Sequence, residues 1–230
     1  MAFYYIFIMK KFIDFILVFS ITFSGYKIFD YIYETRTSEK VYEEYRKEKK
    51  IIIEEKIQVP KIETKPIYNW IKIPNTNIDY PIVYGKGDDY YLIHDVAGNK
   101  SVSGSIFYGE YEEPMQGTNT SIYGHCMKNG TMFANLHLFK DENKFYNSRL
   151  ILETETESHE YIPLAVYITN EDFFHLTLDN YTTYEALDII KEKAMYYNDL
   201  QYSEDAHIIT LMTCEYSAEN NRLFVFYISE

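Results

Sequence analysis

The chain has 230 residues, room for one domain of ordinary size or two small ones, which excludes a large multidomain assembly. Hydrophobic residues make up 47% of it and aromatic residues 18%, so it has enough apolar surface to fold. A formal charge of −13 repels a phosphate backbone unless basic residues gather on one face, and none do outside a charged segment near the N-terminus, so no nucleic-acid partner is expected.

Residues 12–29 are apolar except for Asp14, Lys27 and a few small polar side chains, a length at the lower edge of what crosses a bilayer. Lys10 and Lys11 precede them. The positive-inside tendency then leaves the N-terminus in the cytoplasm and carries the rest of the chain outside. No small-x-small cleavage site follows, so residues 1–30 read as an uncleaved signal anchor; a secretory signal cut at Ser24-Gly25 is the alternative. Met9-Lys10-Lys11 is also a plausible second start of translation. Residues 31–65 are charged and read as a helical linker, with Glu43/Lys47 a favourable and Glu44/Glu48 an unfavourable pair at four-residue spacing. The expected role of this segment is a spacer between membrane and domain.

Residues 66–230 form the third unit. Eight β-branched and aromatic runs separated by turn residues lie at 70–73, 81–84, 104–108, 120–123, 150–153, 161–169, 207–213 and 223–228, a pattern that predicts a mainly β, closed or nearly closed barrel. One helix is predicted at 183–197, where Leu187, Ile190 and Ala194 recur at three- and four-residue spacing. Thr182 or Thr183 is placed to cap it, with Glu185 in the first turn. A shorter helix is predicted around 132–139.

The two cysteines, Cys126 and Cys214, are too few for a disulfide scaffold. Cys214 ends the 207–213 run, where apolar residues give way to Glu215-Tyr216-Ser217, and strand alternation puts it on one face with Met212 and Thr210. Arg222 opens the next strand, so a hairpin brings its guanidinium beside Cys214. His125, after Tyr123-Gly124, ends an earlier strand. A thiol becomes a good nucleophile only as thiolate, which a nearby imidazolium or guanidinium favours. The imidazole then returns a proton to a departing amine, while an arginine, always charged, serves as a fixed donor to an oxyanion. Cys126 reads as inert, since it points away from its neighbour His125 on an extended segment, and a Cys126–Cys214 disulfide is disfavoured. His94, beside Asp95, is the competing histidine, whereas His137, His159, His175 and His207 read as ordinary surface or half-buried residues. No cluster has zinc spacing and no loop has the calcium pattern, so neither a metal nor a cofactor is expected.

Taken together, Trp70-Ile71-Lys72-Ile73-Pro74, Tyr91-Leu92-Ile93-His94-Asp95, Gly124-His125, Thr210-Leu211-Met212-Thr213-Cys214 and the downstream Arg222 resemble the sortases over residues 67–228. The helix before the cysteine strand and Cys214-Glu215-Tyr216 look like class B of that family. The resemblance implies a sortase-like β-barrel of about eight strands with Cys214 as nucleophile, His125 as general acid/base and Arg222 as oxyanion and substrate clamp. It places the backbone N–H of Glu215 in the oxyanion hole. His94, Asp95 and Thr213 are implied as supporting residues, and Tyr181, Tyr184 and Met212 as substrate-binding ones. Met212 departs from the serine many relatives carry there, and Cys126 follows the histidine where other residues are common. The implied activity is transpeptidation on the outer face of a Gram-positive membrane. A surface protein's C-terminal sorting signal is cleaved after its threonine through a thioester on Cys214, and the protein is passed to a peptidoglycan amine. A pilin-polymerising sortase, a hydrolytic cysteine protease and an inert anchored binding module are the alternatives.

Overall fold

The computed structural model describes residues 2–55, 69–109, 117–154, 157–170, 178 and 181–229. Helix α1 (Ala2–Glu55) comes first. Among the described residues nine strands follow: β1 (Asn69–Lys72), β2 (Asp79–Val83), β3 (Ile106–Tyr108), β4 (Asn119–Tyr123), β5 (Leu150–Glu153), β6 (Ser158–Thr169), β7 (Tyr196–Tyr197), β8 (Ile208–Cys214) and β9 (Arg222–Ser229). Among them lie α2 (Asp88–Leu92), a 3₁₀ helix (Phe133–Lys140), α3 (Glu142–Tyr146) and α4 (Thr183–Lys193).

The strands hydrogen-bond in the order β5-β1-β2-β3-β4-β8-β9-β6, and β6 pairs back onto β5, so eight of them close into a barrel as the alternation of the sequence predicts. The β2–β3 and β4–β8 pairs are parallel and the rest antiparallel. Strand β6 serves two neighbours on one edge, β5 up to Tyr161 and β7 from Ala165. Pro163 sits between them at a bulge in the β6–β9 ladder, a position that tolerates a residue without an N–H. Ile209, Leu211, Leu223, Val225 and Tyr227 belong to the main core, while Phe224, Phe226 and Ile228 on the other face join a second cluster with Ala186, Leu187 and Ile190 of α4.

Three sequence expectations change. The predicted helix 183–197 stops at Lys193, because the Met195 N–H donates to the Val166 carbonyl at 2.7 Å and Tyr196–Tyr197 adds to the edge of β6 instead. Its start is as predicted: the Thr182 hydroxyl accepts from the Glu185 N–H, and the Glu185 carboxylate accepts from the Thr182 N–H at 2.9 Å. The second predicted helix is a 3₁₀ helix running on into α3.

The third change concerns residues 31–55, which continue the apolar segment as one helix and are no free spacer. Thr35, Ser38, Tyr42 and Tyr45 recur at three- and four-residue spacing and are buried against the barrel. Tyr42, 1% exposed, donates to the Gly104 carbonyl at 2.7 Å and packs edge-on against Tyr80 at 5.3 Å between ring centroids. The Ser38 and Ser101 hydroxyls share a hydrogen bond at 2.6 Å, and Lys49 lies over the Trp70 ring and pairs with Glu153. The remainder of the predicted linker, residues 56–65, lies outside the described residues. The N-terminal part of α1 contains an 18-residue window of mean hydropathy 1.6 with no part buried, long and apolar enough to cross a membrane.

Candidate active site

Three neighbouring strand ends carry the three predicted residues. Strand β8 ends at Cys214, directly opposite Arg222, the first residue of β9, so the expected hairpin forms with these two as a cross-strand pair. Directly opposed residues share a face with Cβ atoms about 4.5–5.5 Å apart. On the other side β4 runs parallel to β8 with Tyr123 opposite Met212. The Gly124 N–H extends that ladder to the Met212 carbonyl at 3.2 Å, so His125 is the next residue along, beside the end of the cysteine strand. The 2%-exposed Thr213 clamps the same place, its hydroxyl donating to the Gly124 carbonyl at 2.7 Å. Thr213 thus ties the cysteine strand to the histidine segment.

Gly124 has a packing reason. A Cβ there would drive into the Ile106 side chain and stand 2.9 Å from the Phe133 ring, so only glycine lets the chain turn out of β4 this close to β3 and the 3₁₀ helix. The His125 carbonyl accepts from the Phe133 N–H at 2.9 Å, and its Nε2 lies 2.8 Å from the Leu92 carbonyl. A carbonyl only accepts, so Nε2 carries the hydrogen and Nδ1 is the basic nitrogen of the neutral ring. Gly104, at φ 58°, is needed for the same contact: a Cβ on it would lie 2.8 Å from the Leu92 carbonyl and 3.1 Å from the His125 ring.

His94 and Asp95 build this support. His94 stacks on Tyr90 at 4.0 Å with its Nδ1 2.9 Å from the Tyr90 carbonyl, and the Asp95 carboxylate accepts from the Asn99 N–H at 2.9 Å. Both are held within the 90–99 loop, two and three residues past the carbonyl that orients His125.

The β8–β9 turn departs from expectation. The Glu215 N–H, expected in the oxyanion hole, donates to the Asn221 carbonyl at 2.9 Å and closes the turn. Its carboxylate, only 3% exposed, is the hub of the turn, accepting from the Lys140 ammonium, the Ser217 N–H and hydroxyl, and the Asn221 amide. Burial alone would raise the Glu215 carboxyl, but those donors outweigh it and hold the group far below its ordinary range. Arg222 donates through Nη1 to the Asn220 and Asn221 carbonyls, both at 3.1 Å. Behind the turn, His137, half-buried as one branch of the sequence reading had it, has its Nε2 3.0 Å from the Cys214 carbonyl.

Other predicted residues fall elsewhere. The Tyr181 carbonyl accepts from the Thr118 hydroxyl, five residues before Tyr123, which at about 3.3 Å per residue is some 16 Å from the C-terminal end of β4. Tyr184 follows Thr183, whose hydroxyl donates to the Ala206 carbonyl near the start of β8. These two bonds tie the 181–183 segment to the starts of β4 and β8. The Met212 side chain packs against the second cluster. Of the remaining histidines, His159 pairs with Glu157 and His207 meets the Thr120 hydroxyl; His175 lies outside the described residues.

An open cavity of about 370 Å³ is lined by Tyr31, Val102, His125, Cys126, Met127, Lys128 and Tyr216. Burial pushes the Cys126 thiol up, and Cys214 nearby adds to the effect, which disfavours its thiolate. Both cysteines are free. Among the described residues no group of three or more His, Cys, Asp and Glu side chains could hold a metal ion. The sequence reading missed Tyr31, His137, Lys140 and Asn221. Only Tyr31 had a signal there, four residues before Thr35 on the buried stripe of α1.

Comparison with known proteins gives a consistent family. A model of the sortase domain matches residues 71–227. The chain is 35% identical over 157 residues to sortase B of Listeria monocytogenes, covering 66% of this chain and 63% of the relative, thus less than two thirds of its length. It is 28% identical over 238 aligned positions to sortase B of Staphylococcus aureus, covering 94% of this chain and 96% of that one. The crystal structure of Clostridium perfringens sortase B superposes with a TM-score of 0.64 at 31% identity, covering 72% of this chain and 94% of the other.

Proposed function

Because the chain belongs to the sortase family, we propose that it is a class B cysteine transpeptidase in which Cys214, His125 and Arg222 carry the reaction. The observation that supports this most directly is the convergence of the three on adjacent strand ends, with Cys214 and Arg222 as a cross-strand pair and the His125 segment bonded to the cysteine strand.

The Cys214 thiolate attacks the carbonyl carbon of the threonine in a sorting signal. The C–N bond breaks, a thioester forms, and the proton held at His125 Nδ1 goes to the departing amine. An incoming amine then attacks the thioester, giving a proton to His125 and releasing the thiolate. Nε2 keeps its hydrogen on the Leu92 carbonyl throughout, which fixes the ring. Arg222 supplies the oxyanion donors. Its guanidinium has five N–H groups, of which the two on Nη1 engage the turn carbonyls, leaving the others in a planar fork for the substrate. The Glu215 N–H, bonded to Asn221, serves the turn instead of the oxyanion. The acceptor is a peptidoglycan amine and the donor a surface protein, with the catalytic domain outside the membrane that α1 crosses.

The test is to incubate the protein with sorting-signal peptides and look for a peptide thioester by intact mass. The adduct is expected on wild type and on Cys126→Ala and absent from Cys214→Ala; an adduct that survives in Cys214→Ala would refute the assignment.

A further inference from the structure

Tyr31, on the helix read as the membrane anchor, lines the cavity that contains His125. The apolar stretch 12–29 ends two residues before it, and α1 continues through both without interruption, with no proline between residues 2 and 55. At about 1.5 Å rise per residue, the Cα of Tyr31 stands only about 3 Å along the helix axis past the stretch. Polar headgroups add about 5–7 Å on each side of a hydrocarbon core of roughly 30 Å. Helical side chains also lean toward the N-terminus, here toward the membrane.

Nothing between anchor and domain acts as a hinge. The Ser38–Ser101 and Tyr42–Gly104 hydrogen bonds and the Lys49 contacts with Trp70 and Glu153 fix Ser38 to Lys49 of α1 along the domain, and Tyr31 stands seven residues before Ser38 on the same unbroken helix. The other cavity walls therefore share the depth of Tyr31. Two of them are apolar or aromatic and open to solvent, Val102 and the 69%-exposed Tyr216. Aromatic side chains with one polar end suit the headgroup level.

We infer that the mouth of the cavity lined by His125 lies in the lipid headgroup layer, with Tyr31, Val102 and Tyr216 in contact with lipid and α1 acting as the rigid strut that holds it there. The inference rests on reading α1 as a membrane anchor. It adds that the bilayer surface is a partner of the site itself, beyond serving as the place where the enzyme is tethered.

The chain's own tryptophan supplies the reference. Trp70 is the only one, and it sits by Lys49, about 27 Å farther along α1 than Tyr31. Even at a tilt of about 40° from the bilayer normal it stays well clear of the surface. The experiment uses the full chain in phosphatidylcholine–phosphatidylglycerol vesicles with a nitroxide on a fraction of the headgroups. Wild-type emission should be unchanged by the quencher. The emission added by Tyr216→Trp, and independently by Val102→Trp, should fall several-fold. If the vesicle-bound variants are quenched no more than wild type, the inference fails while the transpeptidase assignment stands. A chain that does not float with the vesicles overturns both the anchor and this inference. Strong quenching in a wild-type-like fold that never forms the thioester supports the lipid contact and counts against the proposed function alone.

Discussion

At the scale of single residues, the site depends on donors and acceptors that are already committed. Arg222 spends Nη1 on two turn carbonyls, so Arg222→Lys should lose both the turn contacts and the planar fork. Thioester formation should fall by two orders of magnitude or so, the usual loss when one oxyanion donor is removed, with near-normal rates counting against the role. Glu215 predicts a pH effect. Its folded carboxyl is depressed below the ordinary value of 4.5, so its contribution is fully present above that pH and is lost as pH falls below it. Glu215→Gln should be less stable than wild type at pH 7, by about 1–3 kcal/mol for a buried group left badly paired, and the gap should narrow from pH 5 to pH 3 in urea titrations. Cys214, His125 and Arg222, the residues proposed to carry the reaction, could be picked out in the sequence because their types and order are distinctive. The Glu215–Lys140 pair and the His137–Cys214 contact could not, since each joins residues more than 70 positions apart through a 3₁₀ helix whose path no local pattern sets.

Secondary-structure elements meet at two glycines. Gly124→Ala would push against Ile106 and Phe133 where β4 turns toward the site, and Gly104→Ala would press on the Leu92 carbonyl that orients His125. Gly104→Ala also puts a Cβ at φ 58°. Both variants should slow thioester formation, and Gly104→Ala should in addition raise the susceptibility of the 90–104 loop to proteolysis; unchanged kinetics in both would show that His125 is positioned by something else. Thr182→Ala, which removes one half of a capping box far from Cys214, should lower stability by about 1 kcal/mol and leave the rate alone. The strands were readable because their alternation survives in the barrel, and the cap because it is local. The end of α4 was not: helical spacing continues through Ala194, but the backbone of Met195 finds a better partner on β6.

For the molecule as a whole, α1 is part of the domain as well as the proposed anchor. A soluble chain starting at Glu34 keeps Tyr42 and Tyr45 against the barrel, and one starting at Lys56 loses them. Removal of large buried aromatics typically costs about 3–5 kcal/mol each, so the shorter chain should melt lower by roughly 10–40 °C; equal melting temperatures would mean that the helix only rests on the surface. The 35–49 stripe was present in the sequence, but tyrosine and serine at helical spacing within a charged segment read as solvated until the barrel supplied their partners. The closing of β6 onto β5 has an effect that reaches beyond the single molecule. Among the described strands only β7, two residues long, is left with an open side. Exposed strand edges are the usual templates for chain-to-chain β addition. Many copies crowded side by side in one leaflet would thus find almost no backbone on which to zip together, and the population should stay dispersed at surface densities that would aggregate an open sheet.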